Sequence, residues 1–175
     1  FRVNTLKTSR DQLIQELHQD GVKCYPSPVL PCSIRIGAME GSLDDLPAYK
    51  EGQFYVQNEA AMLAAIILDP LPGEKVLDLC CGVGGKTTHM AEKMKNQGYI
   101  KAYDSYTQKI DILKANCTRL GIRIVDVRPE DIMLVEEKQP TGRVMLDVPC
   151  SGSGVLNRRS DARWNKDIIA IKQLT

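Results

Sequence analysis

The stretch VLDLCCGVGGKTTHM, residues 76 to 90, sets three glycines and a lysine between an apolar run ending near Asp78 and an amphipathic segment. A strand followed by a helix there lets Gly82, Gly84 and Gly85 carry the backbone close to a ligand, with helix N–H groups facing it. Three ligands compete for such a loop. A dinucleotide site needs G-x-G-x-x-G, which Gly82-Val83-Gly84-Gly85 does not supply. A P-loop needs G-x-x-x-x-G-K-[ST]; Gly85-Lys86-Thr87 meets its end, but Cys80 stands where the first glycine belongs. The run VMLD, closing on Asp147, also resembles the magnesium-holding strand of P-loop enzymes. The third ligand is S-adenosylmethionine, for which D-x-x-x-G-x-G-G runs from Asp78 to Gly85. It is favoured by Asp104, at the end of the next expected strand, where a carboxylate can accept both ribose hydroxyls.

A second chemical segment is MLDVPCSGSG, residues 145 to 154, which puts Cys150 directly after a proline beyond a strand closing on Asp147. Methyltransferases acting on exocyclic amino groups carry an aromatic residue at this place, and a thiol suits a different target. Carbon 5 of cytosine becomes nucleophilic only after a thiolate adds to carbon 6 and pushes electron density into the ring. A cysteine of lowered pKa fits that need. Asp104, Asp131 and Asp147 are all expected at the carboxyl edge of one sheet, where doubly wound folds bind ligands. Each alone is equally well a helix cap; three beside a glycine loop favour a site.

The elements that position these residues alternate. Expected strands cover Lys75 to Cys80, Tyr99 to Asp104, Arg123 to Val127 and Arg143 to Asp147. Helices lie near Lys86 to Asn96 and Thr107 to Leu120, the second carrying Ile110, Leu113, Cys117 and Leu120 on one face before a stop at Gly121. This pattern predicts an α/β fold, a Rossmann-like parallel sheet of which four strands are present. Residues 1–70 read as a small α+β unit and 71–175 as the ligand-binding domain. In the first unit FRVNTL reads as a strand, Ser9 with Gln12 forms a capping box for a helix carrying Leu13, Ile14 and Leu17, and a helix covers Asn58 to Leu68.

The 175 residues suffice for one main core, and a net charge of +1 gives no long-range field announcing a nucleic-acid partner. Any polyanion site must be local, and Arg158, Arg159 and Arg163 beside Trp164 suit phosphate contact and base stacking; a solvated loop anchored by the tryptophan is the plainer reading. Six cysteines without a CxxC pair, and no long apolar span, point to reduced thiols in a cytoplasmic protein without a membrane segment. No metal is expected, because adjacent Cys80 and Cys81 cannot form the usual zinc chelate.

Taken in order, RVNTLKTS (2–9), VQNEAAML (56–63), LDLCCGVGGKTTHMAE (77–92), NCTRLG (116–121), LDVPCSGSGVL (146–156) and DARW (161–164) make the chain resemble the RsmB/Fmu (Sun) family of RNA cytosine-5 methyltransferases. The likeness is greatest to the bacterial enzymes that act on small-subunit ribosomal RNA. The resemblance implies a class I methyltransferase fold, S-adenosylmethionine as cofactor and RNA as partner. It implies that Cys80, Cys81, Gly82, Val83, Gly84, Gly85 and Lys86 form the cofactor loop and that Asp104 holds the ribose. The adenine-side carboxylate falls on Asp131, with Glu130 adjacent, while Asp147 and Lys86 border the target base. In the family a Thr-Cys cysteine attacks carbon 6 and the Pro-Cys cysteine assists release of product, so Cys150 takes the assisting role.

Two departures stand out. The usual Ala-Ala-Pro-Gly-Gly-Lys loop is here Cys81-Gly82-Val83-Gly84-Gly85-Lys86, and the usual Arg-Arg-His-Pro-Asp segment is Asn157-Arg158-Arg159-Ser160-Asp161. No Thr-Cys pair follows Cys150, which leads to the expectation of a truncated chain without turnover of its own. A non-catalytic RNA- or partner-binding module is the alternative this absence raises, beside the P-loop enzyme.

Overall fold

The computed structural model describes residues 1–136, 141–148 and 150. The chain divides into two units, one from Phe1 to Met145 and one beginning at Leu146. All the strands and helices below belong to the first.

That unit opens with β1 (Arg2–Val3) and α1 (Arg10–Gln19). The Ser9 hydroxyl accepts the Gln12 N–H while the Gln12 side chain accepts the Ser9 N–H, the reciprocal cap expected from the sequence. Strands β2 (Lys23–Pro26) and β3 (Ile34–Ala38) pair antiparallel, and after the short helix α2 (Pro47–Lys50), β4 (Phe54–Tyr55) pairs antiparallel with β1. Val3, Leu13, Leu17, Ile34 and Phe54 make their common core.

Helix α3 (Glu59–Leu68), capped by the Asn58 side chain on the Ala60 N–H, leads into β5 (Lys75–Asp78). Then follow α4 (Gly85–Lys93), β6 (Tyr99–Tyr103), α5 (Thr107–Leu120), β7 (Val125–Arg128) and β8 (Arg143–Met145). The four strands are parallel, in the order β7-β6-β5-β8. Val76, Met90, Ile100, Ala102 and Leu113 share a second core, to which Ala65 of α3 belongs. This is the expected Rossmann-like α/β arrangement. The chain steps outward from β5 to β6 and β7, then returns to place β8 on the other side of β5. In open sheets of this kind ligands bind beyond the carboxyl ends of the strands at such a reversal.

The elements are shorter than the sequence pattern suggested. Helix α4 ends at Lys93 rather than Asn96, because Lys95 and Asn96 take left-handed backbone angles (φ 51° and 57°) to turn toward β6. Strand β7 starts at Val125 rather than Arg123, whose N–H donates to the Asn96 side chain at 2.9 Å instead of joining the ladder. Strand β8 stops at Met145, short of Asp147, and among the described residues its one partner is β5; on this edge Val144 remains 48% exposed. The face of α5 is as expected, with Ile110, Leu113, Cys117 and Leu120 buried and Gly121 closing the helix at φ 74°. Among the described residues no helix is long and apolar enough to cross a membrane.

Polar side chains join the N-terminal elements to the sheet. Asn4, wholly buried, donates from Nδ2 to the carbonyls of Gly52 (2.8 Å) and Leu120 (2.9 Å), while Arg2 reaches Glu92 on α4. Strict alternation in Arg2-Val3-Asn4 explains this: Val3 faces the N-terminal core and its two polar neighbours face the other way, onto the sheet domain.

Candidate functional site

The loop between β5 and α4 sits at the strand reversal, and its neighbours hold it at each residue. The Cys81 N–H donates to the Tyr103 carbonyl at 2.8 Å, which ties the loop to the end of β6. Gly82 turns at φ 55° and donates its N–H to Asp104 Oδ2 at 3.0 Å. The Val83 carbonyl accepts from Asn116 Nδ2 of α5 at 3.1 Å. Gly84 caps α4 at φ 90°, where a Cβ would stand 2.1 Å from Leu113 Cδ1, so both backbone angle and space require glycine. Below the loop, the buried Asp78 carboxylate accepts the Thr87 hydroxyl at 2.6 Å.

Asp104 is 8% exposed and anchors the opposite wall. Its second oxygen accepts the Tyr106 N–H at 2.9 Å, and Lys109 Nζ lies 3.8 Å from the same atom and 4.2 Å from the Tyr106 ring centre. Tyr106, 60% exposed, thus offers an aromatic face beside the carboxylate. Gly82 has no atom within 4 Å of the place a Cβ would take, so the loop leaves open space on that side.

The first unit therefore brings together Cys80, Cys81, Gly82, Val83, Gly84, Gly85, Lys86 and Asp104. Cys81 is buried, and burial, with the Asp78 and Asp104 charges adding, pushes its thiol up to about 12. Cys80 and Lys86 are half-buried. Asp131 lies three residues past β7, exposed, with its side chain accepting the Met133 N–H at 3.0 Å as the cap of a short 3-10 helix, Ile132–Leu134. The capping role weighed from the sequence is thus realised, and one carboxylate oxygen is used for it. Asp147 and Cys150 belong to the second unit, where both are exposed. Arg158, Arg159, Arg163 and Trp164 lie outside the described residues.

Sequence reading missed Arg2, Gln57 and Tyr106 at this site. Tyr106 was two positions from a named carboxylate and could have been found. Arg2 and Gln57 meet the loop through contacts between positions well separated in the chain, Arg2 and Gly85 being 83 residues apart, which no local pattern announces.

Residues 65–175 match the family described as 16S rRNA methyltransferase RsmB/F, and residues 1–39 match its ferredoxin-like domain. A probable ribosomal RNA small subunit methyltransferase B of Synechocystis sp. is 38% identical over 99% of this chain and 40% of its own length. A human 28S rRNA (cytosine(4447)-C(5))-methyltransferase is 35% identical over 95% of this chain and 21% of its own. Among solved structures, that of PH0851 superposes with a TM-score of 0.94 at 39% identity, covering 99% of this chain and 40% of that one. A methyltransferase homologue from Pyrococcus horikoshii gives 0.77 at 32% identity, over 91% and 53%. The chain thus spans about two fifths of the Synechocystis relative. With residues 65–175 matched by the methyltransferase model and residues 1–39 by that of its ferredoxin-like domain, the chain belongs to the RsmB/F family of 16S rRNA methyltransferases.

Proposed function

We propose that the protein carrying this chain is an S-adenosylmethionine-dependent methyltransferase that modifies carbon 5 of a cytosine in RNA, ribosomal RNA by the names of its relatives. In this reading residues 1–70 form a small N-terminal unit and 71–175 belong to the methyltransferase domain of a cytoplasmic protein.

The observation that carries the reading is the Gly82–Asp104 contact. It places a carboxylate inside the turn of the glycine loop. A P-loop uses those same backbone N–H groups to cradle phosphates, and a fixed negative charge among them opposes a polyphosphate. A ribose, by contrast, offers two hydroxyls that a carboxylate accepts. S-adenosylmethionine fits this donor set: Asp104 takes the ribose, Asp131 the adenine edge, and the loop from Cys80 to Lys86 the methionyl end. When bound, the cofactor supplies an electrophilic methyl group.

The remaining assignments follow the same reading. Lys86 and Asp147 border the target base, and Cys150 assists release of the methylated base from the enzyme. Arg158, Arg159 and Arg163 contact phosphates while Trp164 stacks on a base.

The test is transfer of labelled methyl from S-adenosylmethionine to small-subunit ribosomal RNA by the full-length gene product, with the position of the methyl group read by mass spectrometry of nucleosides. Label at 5-methylcytidine supports the reading. Tight ATP binding with none to S-adenosylhomocysteine overturns it in favour of a P-loop enzyme.

A further inference from the structure

Arg2 has no solvent exposure, and its guanidinium uses all five of its N–H donors. Nε and Nη2 donate to the two oxygens of Glu92 at 3.0 and 2.8 Å, and Nη2 also donates to the Thr88 hydroxyl at 2.8 Å. Nη1 donates to the Gly85 carbonyl and to Gln57 Oε1, both at 2.5 Å. The cation also lies 5.0 Å from the centre of the Tyr55 ring. Neutralising Glu92 takes two of these donors. The other three go to the first turns of α4 and to Gln57, at the end of the helix that meets the glycine loop.

Arg2 accepts no hydrogen bond, so the carboxamide oxygen of Gln57 must face it and the nitrogen must face away. That nitrogen stands 3.6 Å from the place a Cβ on Gly85 would occupy, with the Tyr55 hydroxyl at 3.7 Å. Gln57 Nε2 therefore adds a donor at the N-terminus of α4. The positive dipole end of a helix there favours an anionic group.

We propose that Arg2 is a positioning residue of the cofactor site, and that Gln57 Nε2, oriented by it, donates to the methionyl carboxylate of S-adenosylmethionine. The inference rests on the cofactor reading above. It makes the N-terminal unit a contributor to that site, through two residues 55 positions apart in the chain.

The experiment uses the full-length gene product, with S-adenosylhomocysteine and adenosine as probes in calorimetry and thermal unfolding measured alongside. Gln57 is partly exposed, so Gln57→Ala keeps the fold, although the Arg2 N–H left without its acceptor lowers the unfolding midpoint by a few degrees. It weakens S-adenosylhomocysteine binding about tenfold, the worth of one hydrogen bond to a charged group. Adenosine, which lacks the methionyl end, binds wild type and Gln57→Ala equally. Arg2→Lys keeps the charge but loses the fork; it weakens S-adenosylhomocysteine binding, and does so less when Gln57 is already alanine. If Arg2→Lys does not fold, the Gln57→Ala pair of affinities decides alone. Unchanged S-adenosylhomocysteine affinity in Gln57→Ala, or an equal loss for adenosine, overturns the inference while the cofactor reading stands. Absence of binding by wild type overturns both.

Discussion

Asp104 and Gly82 are joined across the site by a 3.0 Å hydrogen bond from the loop N–H to the carboxylate, so the carboxylate proposed to take the ribose and the loop are set by one contact. Asp104→Asn keeps the shape but replaces one acceptor oxygen with a donor. We expect S-adenosylhomocysteine affinity to fall about tenfold or more, the scale of a charged hydrogen bond left unmade. Adenosine affinity should fall in parallel, because both ligands carry the ribose. Calorimetry with the two ligands checks this, and undiminished adenosine binding would place the ribose elsewhere.

Gly84 and Leu113 make a second prediction. Gly84→Ala puts a methyl group 2.1 Å from Leu113 Cδ1 and fixes an L-residue at φ 90°. Strain of both kinds should cost about 1–3 kcal/mol of stability. Leu113→Ala alone should cost about 2–5 kcal/mol as a core truncation. The double variant should be more stable than the sum of the two losses implies, because truncating Leu113 removes the clash. Urea unfolding of all four proteins measures the coupling; strict additivity would show that the backbone angle alone is responsible.

The legible parts of the fold were those written in local spacing. The buried face of α5 repeats every three or four residues from Ile110 to Leu120, and the Ser9–Gln12 cap spans a single turn. The glycine loop was legible for the same reason, since a strand, three glycines and a helix lie within ten residues of each other. Arg2 and Asn4 were read only as part of a strand. Their partners Glu92 and Leu120 lie 90 and 116 residues further on, and a polar side chain on a short strand gives no local sign of burial. At Asp131 two readings were possible and local capping chemistry took one oxygen.

His89 gives the protein a pH dependence with a definite sign. The ring is 3% exposed, Nδ1 has no hydrogen-bond partner among the described residues, and burial, helped by the charges of Arg2 and Lys93, lowers its pKa from 6.5 to about 3. The unfolded chain therefore binds a proton that the folded chain refuses between those values. Stability from this group is complete above about pH 6.5 and is lost as pH falls toward 3, with a limiting slope of about 1.4 kcal/mol per pH unit. His89→Leu removes the titration and the orphaned nitrogen together. Its unfolding free energy, measured in urea from pH 7 to pH 4, should fall less steeply than that of wild type. Parallel curves would show that other groups carry the acid sensitivity.

The thiols separate by burial. Cys81 is pushed up to about 12 and Cys117 to about 11, chiefly by desolvation, whereas Cys150 is exposed. Thiolate is the reacting form, so a small alkylating reagent at neutral pH should modify Cys150 while sparing Cys81 and Cys117 in the folded protein. Peptide mapping by mass spectrometry after a short exposure reads the order. Early labelling of Cys81 would mean that the glycine loop opens far enough to hydrate its thiol.

Accessibility of Cys150 bears on which step it serves. If it assists release, Cys150→Ser leaves the attack on carbon 6 intact and slows the elimination that frees the methylated base. RNA then stays covalently attached to the full-length protein after one methyl transfer. If Cys150 is itself the attacking thiol, the same substitution abolishes the bond, because a serine hydroxyl is far less nucleophilic than a thiolate. A denaturing gel of protein incubated with ribosomal RNA and S-adenosylmethionine distinguishes the two. We expect a slow-migrating, nuclease-sensitive band with Cys150→Ser that exceeds any seen with wild type; its loss would move Cys150 from the assisting to the attacking role.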